Sequence, residues 1–230
     1  MRCNEKWTER IELKTVILPT GSMEAHGAHL PFATDSIIPE RIAQEAAKRT
    51  NAFLLPTLPY GNTQRLSNFK GTISLTAQGL VYVVKDILKS AIKQGAEKII
   101  ILNGHDGNQH SLQVATRDVL EESEKNVKIM VIDAWWNIIP ENVLKELNIT
   151  REFGHAGKEE TSVMLYIASE SVAIEKAVEQ KFVEEHHLTK YYFNDRKVPC
   201  EGRPVNASKE LGKKIFDAVV DSLVDLIGKP

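Results

Sequence analysis

A mostly parallel α/β sheet, covered by helices on both faces, is the fold this sequence predicts. Short β-branched runs alternate with amphipathic helical stretches, and the β runs are apolar almost throughout rather than at every second residue. The polar clusters begin where those runs stop, which is where sheets of this kind carry their ligand-binding loops.

The elements follow in chain order. TVILPTG (Thr15 to Gly21) reads as a buried strand, and Ile37 to Arg49 as a helix with Ile38, Ile42 and Ala46 on its apolar face. AFLLPTLPYG starts a second strand at Ala52, which Pro56, Pro59 and Gly61 turn into a loop. Leu80 to Gln94 is helical, with Leu80, Val84, Leu88 and Ala91 on one side. KIIILNG is a third strand ending at Gly104, Gln109 to Glu122 the next helix, and VKIMVIDAWW the fourth strand. Lys158 to Ala168 is a helix begun near Gly157, and Asn206 is expected to cap a long C-terminal helix. Glu184 to Val205 reads as an irregular excursion or subunit contact. Repeats, low-complexity runs and linkers are lacking, so residues 1–230 are expected to form a single domain.

Composition narrows the function. The chain is 42% hydrophobic and 26% charged, enough for a real core, and its net charge of −2 offers no field to hold a phosphate backbone. Nucleic acid is therefore not an expected partner. No apolar run approaches the roughly 20 residues of a membrane span, and the charged start MRCNEKWTERIELK is unlike a secretion signal. Cys3 and Cys200 are too few for a disulfide framework and read as reduced thiols of a cytoplasmic protein.

Chemistry concentrates in two loops. GSMEAHGAHLPFATD places Glu24, His26, His29 and Asp35 within twelve residues, in a stretch that Gly21, Gly27 and Pro31 keep from being helical. Residues two apart in extended chain point the same way, so Glu24 and His26 can aim at one point, and Asp35 returns across the loop. NGHDGN then sets His105 at a glycine-flanked strand end. Imidazole with carboxylate and no thiolate suits zinc, manganese or ferrous iron.

GSMEAHGAHLPFATD, NGHDGN and GHAGKEETS together resemble the three signatures of the creatininase family of metal-dependent amidohydrolases, and the likeness extends to FKGTISL, DAWW and VNASKELGKK. The resemblance implies a three-layer α/β sandwich, a centre of two divalent metal ions (zinc, manganese or iron) and a homo-oligomer, commonly a hexamer. Carried over by position, Glu24, Asp35 and His105 resemble ligands of the first metal. His26 and Asp35 resemble ligands of the second, which makes Asp35 the bridge. His155 resembles the catalytic histidine, a proton carrier for the departing amine. Glu160 resembles a carboxylate that orients His155 or water.

The departures from the family pattern concern the pocket. Creatininase itself has a further carboxylate ligand at the position of Gly107, which implies a second metal held more weakly or differently here. Arg151 stands where creatininase has a tryptophan that closes over substrate, and Leu66 and Lys70 replace a histidine and a proline common in relatives. Asp106 is an adjacent carboxylate. Trp135 and Trp136 are expected to divide between core and pocket, and Asn103 and Asn108 to brace their loop. Arg65, Lys70 and Arg151 offer positive charge to an anionic substrate, as would fit the family's pyrimidine deformylase branch.

The expected activity is hydrolysis of a non-peptide C–N bond, cyclic amide or formamide, in a small molecule other than creatinine. A peptidase branch, a two-metal phosphoesterase and a non-catalytic metal-binding subunit are the alternatives.

Overall fold

The computed structural model describes residues 13–151, 153–179 and 198–229. Its centre is a four-stranded, wholly parallel sheet: β1 (Thr15–Thr20), β2 (Phe53–Leu54), β3 (Lys98–Asn103) and β4 (Lys128–Ile132), in the spatial order β2-β1-β3-β4. β1 and β3 pair over their whole length, from Thr15 opposite Lys98 to Thr20 opposite Asn103. Their loops therefore leave the sheet side by side, which brings the two polar clusters together.

Alternation along the strands divides the core in two. Ile17, Leu54, Ile100 and Leu102 face one layer, formed by α1 (Thr34–Arg49), α4 (Glu141–Leu147), α5 (Lys158–Ile167) and α6 (Lys209–Gly228). Val16, Leu18, Ile99 and Ile101 face the other, formed by α2 (Ala77–Lys93) and α3 (Gln109–Glu122). Strands buried on both faces have no reason to alternate polar with apolar, hence their continuous apolar runs. No helix among the described residues is long and apolar enough to cross a membrane.

Several boundaries differ from expectation. α1 begins at Thr34, so Asp35 lies in its first turn rather than in the loop; a carboxylate there meets the positive end of the helix dipole. β2 is only two residues long: the Leu55 amide still reaches the Ile17 carbonyl at 3.0 Å, but the next amide to bond β1 is that of Leu58, on Pro19 at 3.0 Å, so the register slips at Pro56 and Thr57. β4 stops at Ile132, and Trp135–Ile138 form a tight 3₁₀ turn. Ser208, not Asn206, caps α6, its hydroxyl accepting from the Leu211 amide at 3.1 Å. α4, unforeseen, is short and closed by Asn148 in left-handed conformation (φ 50°). Of the stretch Glu184 to Val205, only residues from 198 onward are among those described, and His186, His187 and Cys3 lie outside them.

One contact sets the distance between sheet and α1. Pro39, inside α1, has no N–H to give the Asp35 carbonyl four residues back, and Gly104 at the end of β3 packs against that carbonyl. A Cβ on Gly104 would stand 2.0 Å from the Asp35 oxygen, so only glycine lets β3 and α1 approach this closely. Gly104→Ala is expected to lower unfolding stability by about 1–3 kcal/mol, the usual overpacking range. Gly228→Ala, whose Cβ would meet nothing within 4 Å, should leave it nearly unchanged, as thermal denaturation of both variants would show.

Candidate metal centre

Five of the six residues singled out in the sequence are buried side by side: Glu24, His26, Asp35, His105 and Glu160 are between 1% and 9% exposed, and His155 joins them half-buried. Three stretches deliver them. The loop after β1 brings Glu24 and His26 and runs into α1 with Asp35; the loop after β3 brings His105; the turn before α5 brings His155, with Glu160 in the first turn of α5.

The hydrogen bonds fix which nitrogen of each histidine faces inward. A carbonyl oxygen can only accept, so each ring nitrogen that meets one carries the proton. His26 Nδ1 donates to the Glu24 carbonyl (3.1 Å), His105 Nε2 to that of Asn62 (2.9 Å) and His155 Nε2 to that of Ala25 (2.7 Å). The opposite nitrogens all point at carboxylates. His26 Nε2 lies 2.9 Å from Asp35 Oδ1, and His105 Nδ1 lies 2.9 Å from Asp35 Oδ2 and 3.3 Å from Glu24 Oε1. His155 Nδ1 lies 3.5 Å from Glu24 Oε1. Asp35 thus turns one oxygen to each side, and Ser22 Oγ donates to its Oδ2 at 2.8 Å.

Lone pairs aimed at carboxylates require a positive charge between them, a proton or a metal ion. Burial opposes charge on His26, yet Asp35, Glu160 and Glu24 outweigh it and raise the imidazole to about 10. Burial likewise opposes charge on His105, and Glu24 and Asp35 carry it well above its ordinary value. Asp35, which burial alone would raise, is held well below the usual carboxylate range by the charge of His26 and the hydrogen bonds from His105 and His26. Glu160 goes the other way. Burial, with Asp35 and Glu24 nearby, pushes it to about 8 despite His26 and the Ala156 amide. His155 is lowered to about 4 by burial and by His26, whose ring centroid lies 4.2 Å away.

Ligand-capable atoms fall into three overlapping groups, each with its atoms within 4.8 Å of one another: Glu24, Asp35 and His105; His26, Asp35 and Glu160; and Glu24, His26 and His155. Asp35 is common to the first two. Donors of this kind, with imidazole N–H groups anchored on backbone carbonyls, fit divalent zinc, manganese or iron.

Asparagines brace the loops as expected. Asn103 donates to the carbonyls of His105 (2.6 Å) and Asp133 (2.7 Å), and its oxygen accepts from the His105 amide and from Thr20 and Asn108. Asn108 donates to the Gly21 carbonyl and accepts from the Asn62 amide, each at 2.9 Å, which ties the three loops. The GTIS stretch supports the first loop from outside: Thr72 Oγ1 accepts from the Ala25 amide at 3.1 Å.

A cavity of about 470 Å³ opens over the centre, its floor including Glu24, Asp35, His105, His155 and Glu160. Arg65, Arg151, Trp136 and Phe153 line its walls, whereas Trp135 is fully buried in the core. Arg151 is held by the Asn137 carbonyl at 2.9 Å. Lys70 does not reach the cavity; Asp106 lines it but belongs to none of the three groups and accepts from Gln109. His29 is packed away against Thr161 at 3.0 Å. Sequence reasoning missed Asn62, Phe153 and Glu201. Pro199 and Glu201 are joined to the site loops through backbone: the Gly27 amide donates to the Pro199 carbonyl, and the Glu201 amide to the His155 carbonyl, both at 2.6 Å. The only sequence signal for them was their closeness to the motifs.

The family model described as "Creatininase: Creatinine amidohydrolase" matches residues 4–227. The chain belongs to the creatininase family. It is 26% identical to the creatinine amidohydrolase of Pseudomonas putida, over 92% of this chain and 88% of that protein. It is 27% identical to a mycofactocin precursor peptide peptidase of Mycobacterium ulcerans, over 94% and 85% of the two chains. It is 28% identical to the 2-amino-5-formylamino-6-ribosylaminopyrimidin-4(3H)-one 5'-monophosphate deformylase of Methanothermobacter thermautotrophicus, over 90% and 86%. A crystal structure of creatinine amidohydrolase superposes on this creatininase-family fold with a TM-score of 0.84, at 26% identity, covering 93% of this chain and 89% of the other.

The electrostatics give a stability profile for the metal-stripped protein. His26 and Glu160 both have folded values above their ordinary 6.5 and 4.5, so the folded state binds their protons more tightly than the unfolded chain does. The stability they add is present below those ordinary values and is lost as pH rises through about 8 for Glu160 and about 10 for His26. Calorimetry of chelator-treated protein should show the melting temperature falling between pH 6.5 and 10. A flat or rising melting temperature over that span would contradict the site electrostatics.

Proposed function

We infer that this chain is a metal-dependent hydrolase of carbon–nitrogen bonds in small amide substrates, cyclic amides or formamides. One observation carries the reading: three imidazoles, two buried and one half-buried, have their N–H groups fixed on backbone carbonyls and their lone pairs directed into a shared carboxylate cluster beneath a cavity. Glu24, Asp35 and His105 would hold one divalent cation, and His26 with Asp35 would hold a second, with zinc, manganese or iron as candidates. Such ions supply Lewis-acid polarisation of a carbonyl and acidify water.

The protein side of the chemistry is proton handling and positioning. His155 is neutral near pH 7, its Nε2 proton held by the Ala25 carbonyl, so Nδ1 is the nitrogen that takes up a proton and returns it to the departing amine. The carbonyl contact prevents the ring from flipping and keeps Nδ1 toward Glu24. Trp136 and Phe153, stacked with centroids 5.8 Å apart, give the cavity an apolar wall that excludes water from one side. A volume of about 470 Å³ suits a metabolite-sized molecule. With this reading go a single catalytic domain over the chain, a cytoplasmic setting and a homo-oligomer of hexameric type, the last measurable by sedimentation.

Formamides, cyclic amides and ureides, short peptides and model phosphoesters, each offered with zinc, manganese or ferrous iron, separate the candidate activities. Turnover of the C–N substrates, abolished by a chelator and restored by metal, is the expected result; turnover confined to phosphoesters would overturn the assignment. His155→Ala should lower kcat by about 10²–10⁴-fold while metal content stays at the wild-type level, as expected for loss of a proton carrier.

A further inference from the structure

The second cation of this reading has only two donors so far, His26 and Asp35; in the loop after β3, Asp106 belongs to no donor group and Gly107 has no side chain to add a third. A Cβ at Gly107 would stand 2.4 Å from the Asn62 carbonyl oxygen and 2.6 Å from His105 Nε2, the two atoms whose hydrogen bond fixes the His105 ring. A carboxylate-bearing residue there would break the contact that aims His105. The loop is built around the absence of a side chain.

A carboxylate reaches the same place from the opposite wall. Glu160, 5% exposed in the first turn of α5, brings an oxygen within 4.8 Å of ligand atoms of both His26 and Asp35. Its Oε2 accepts from the Ala156 amide at 2.7 Å, which anchors the carboxylate. That amide is presented by a residue in left-handed conformation (Ala156, φ 51°), a backbone state a non-glycine residue adopts only when its surroundings enforce it. The neighbouring chain supplies the enforcement: the Glu201 amide grips the His155 carbonyl at 2.6 Å, and Ala156 itself is fully buried.

We propose that Glu160 is the third protein ligand of the second cation, supplied by α5 where position 107 has no side chain and Asp106 belongs to none of the donor groups, and that His155 is thereby left out of the coordination sphere as the proton carrier. The competing arrangement, Glu24 with His26 and His155, would use the His155 nitrogen that the proposed chemistry needs free. The inference rests on the two-cation reading above and assigns Glu160 a role beyond orienting its neighbours.

Ion counting separates these possibilities. Chelator-stripped protein is reloaded with excess Zn²⁺, desalted and analysed by plasma mass spectrometry, with competition titration against a chromophoric zinc indicator. Wild type is expected to hold two ions. Glu160→Gln should keep one, or bind the second at least about tenfold more weakly. His155→Ala and Glu159→Gln should keep both. Two ions at wild-type affinity in Glu160→Gln, or loss of one in His155→Ala, would overturn the assignment while leaving the two-cation reading intact. Fewer than two ions in wild type would remove that reading and this inference together. Should Glu160→Gln not fold, an anomalous difference map of zinc-soaked wild-type crystals decides between a second ion on the Glu160 carboxylate, as expected, and one on His155 Nδ1, which refutes it.

Discussion

The Asp35 carboxylate, with one oxygen toward His26 and the other toward His105, is the constraint from which the rest of the centre follows. Both imidazoles reach it only because their far nitrogens are pinned by backbone carbonyls, and those carbonyls belong to loops tied by Asn103 and Asn108. Asp35 itself is placed by α1, which sits at its distance from the sheet because Gly104 admits the Asp35 carbonyl against β3. Sheet register, helix packing and ligand geometry are therefore one problem. Moving any of the three elements moves the carboxylate.

Burying three carboxylates and three imidazoles so close together is unfavourable unless positive charge accompanies them. In metal-stripped protein that charge comes from protons, which is why His26 and His105 are raised while Asp35 is depressed. His155 escapes this pull because burial, and then the charge of His26 beside it, oppose a proton there. Two roles thus separate among chemically identical rings: those facing two or three carboxylates hold positive charge, and the one facing a single carboxylate next to another ring stays neutral.

What the sequence disclosed, and what it hid, follows from the range of the interactions. The sheet was legible because strands buried on both faces must be apolar throughout, and the loops after β1 and β3 because their residues act locally. Extended geometry let Glu24 and His26 aim at one point, while the ligand and catalytic roles came from the resemblance of the three motifs to the creatininase family. Asp35 was identified as a residue and misplaced as structure, because Pro39 within five residues of a helix start masks the helical signal. Ser208 lost to Asn206 as the expected cap because both residue types suit that position and only packing selects one. Asn62 and Glu201 were invisible for a different reason. They act on the site partly through the backbone, as carbonyl acceptor and amide donor, and a main-chain group leaves no trace in residue type.

The stretch from Pro199 to Glu201 follows every candidate ligand in the chain. By clasping the loop that carries His26 and the turn that carries His155, it makes two walls of the centre depend on chain that is synthesised after every candidate ligand. A ribosome-bound nascent chain would expose all six donors before this latch emerges. Until then the Gly27 amide and the His155 carbonyl lack the partners that hold their loops in the finished fold.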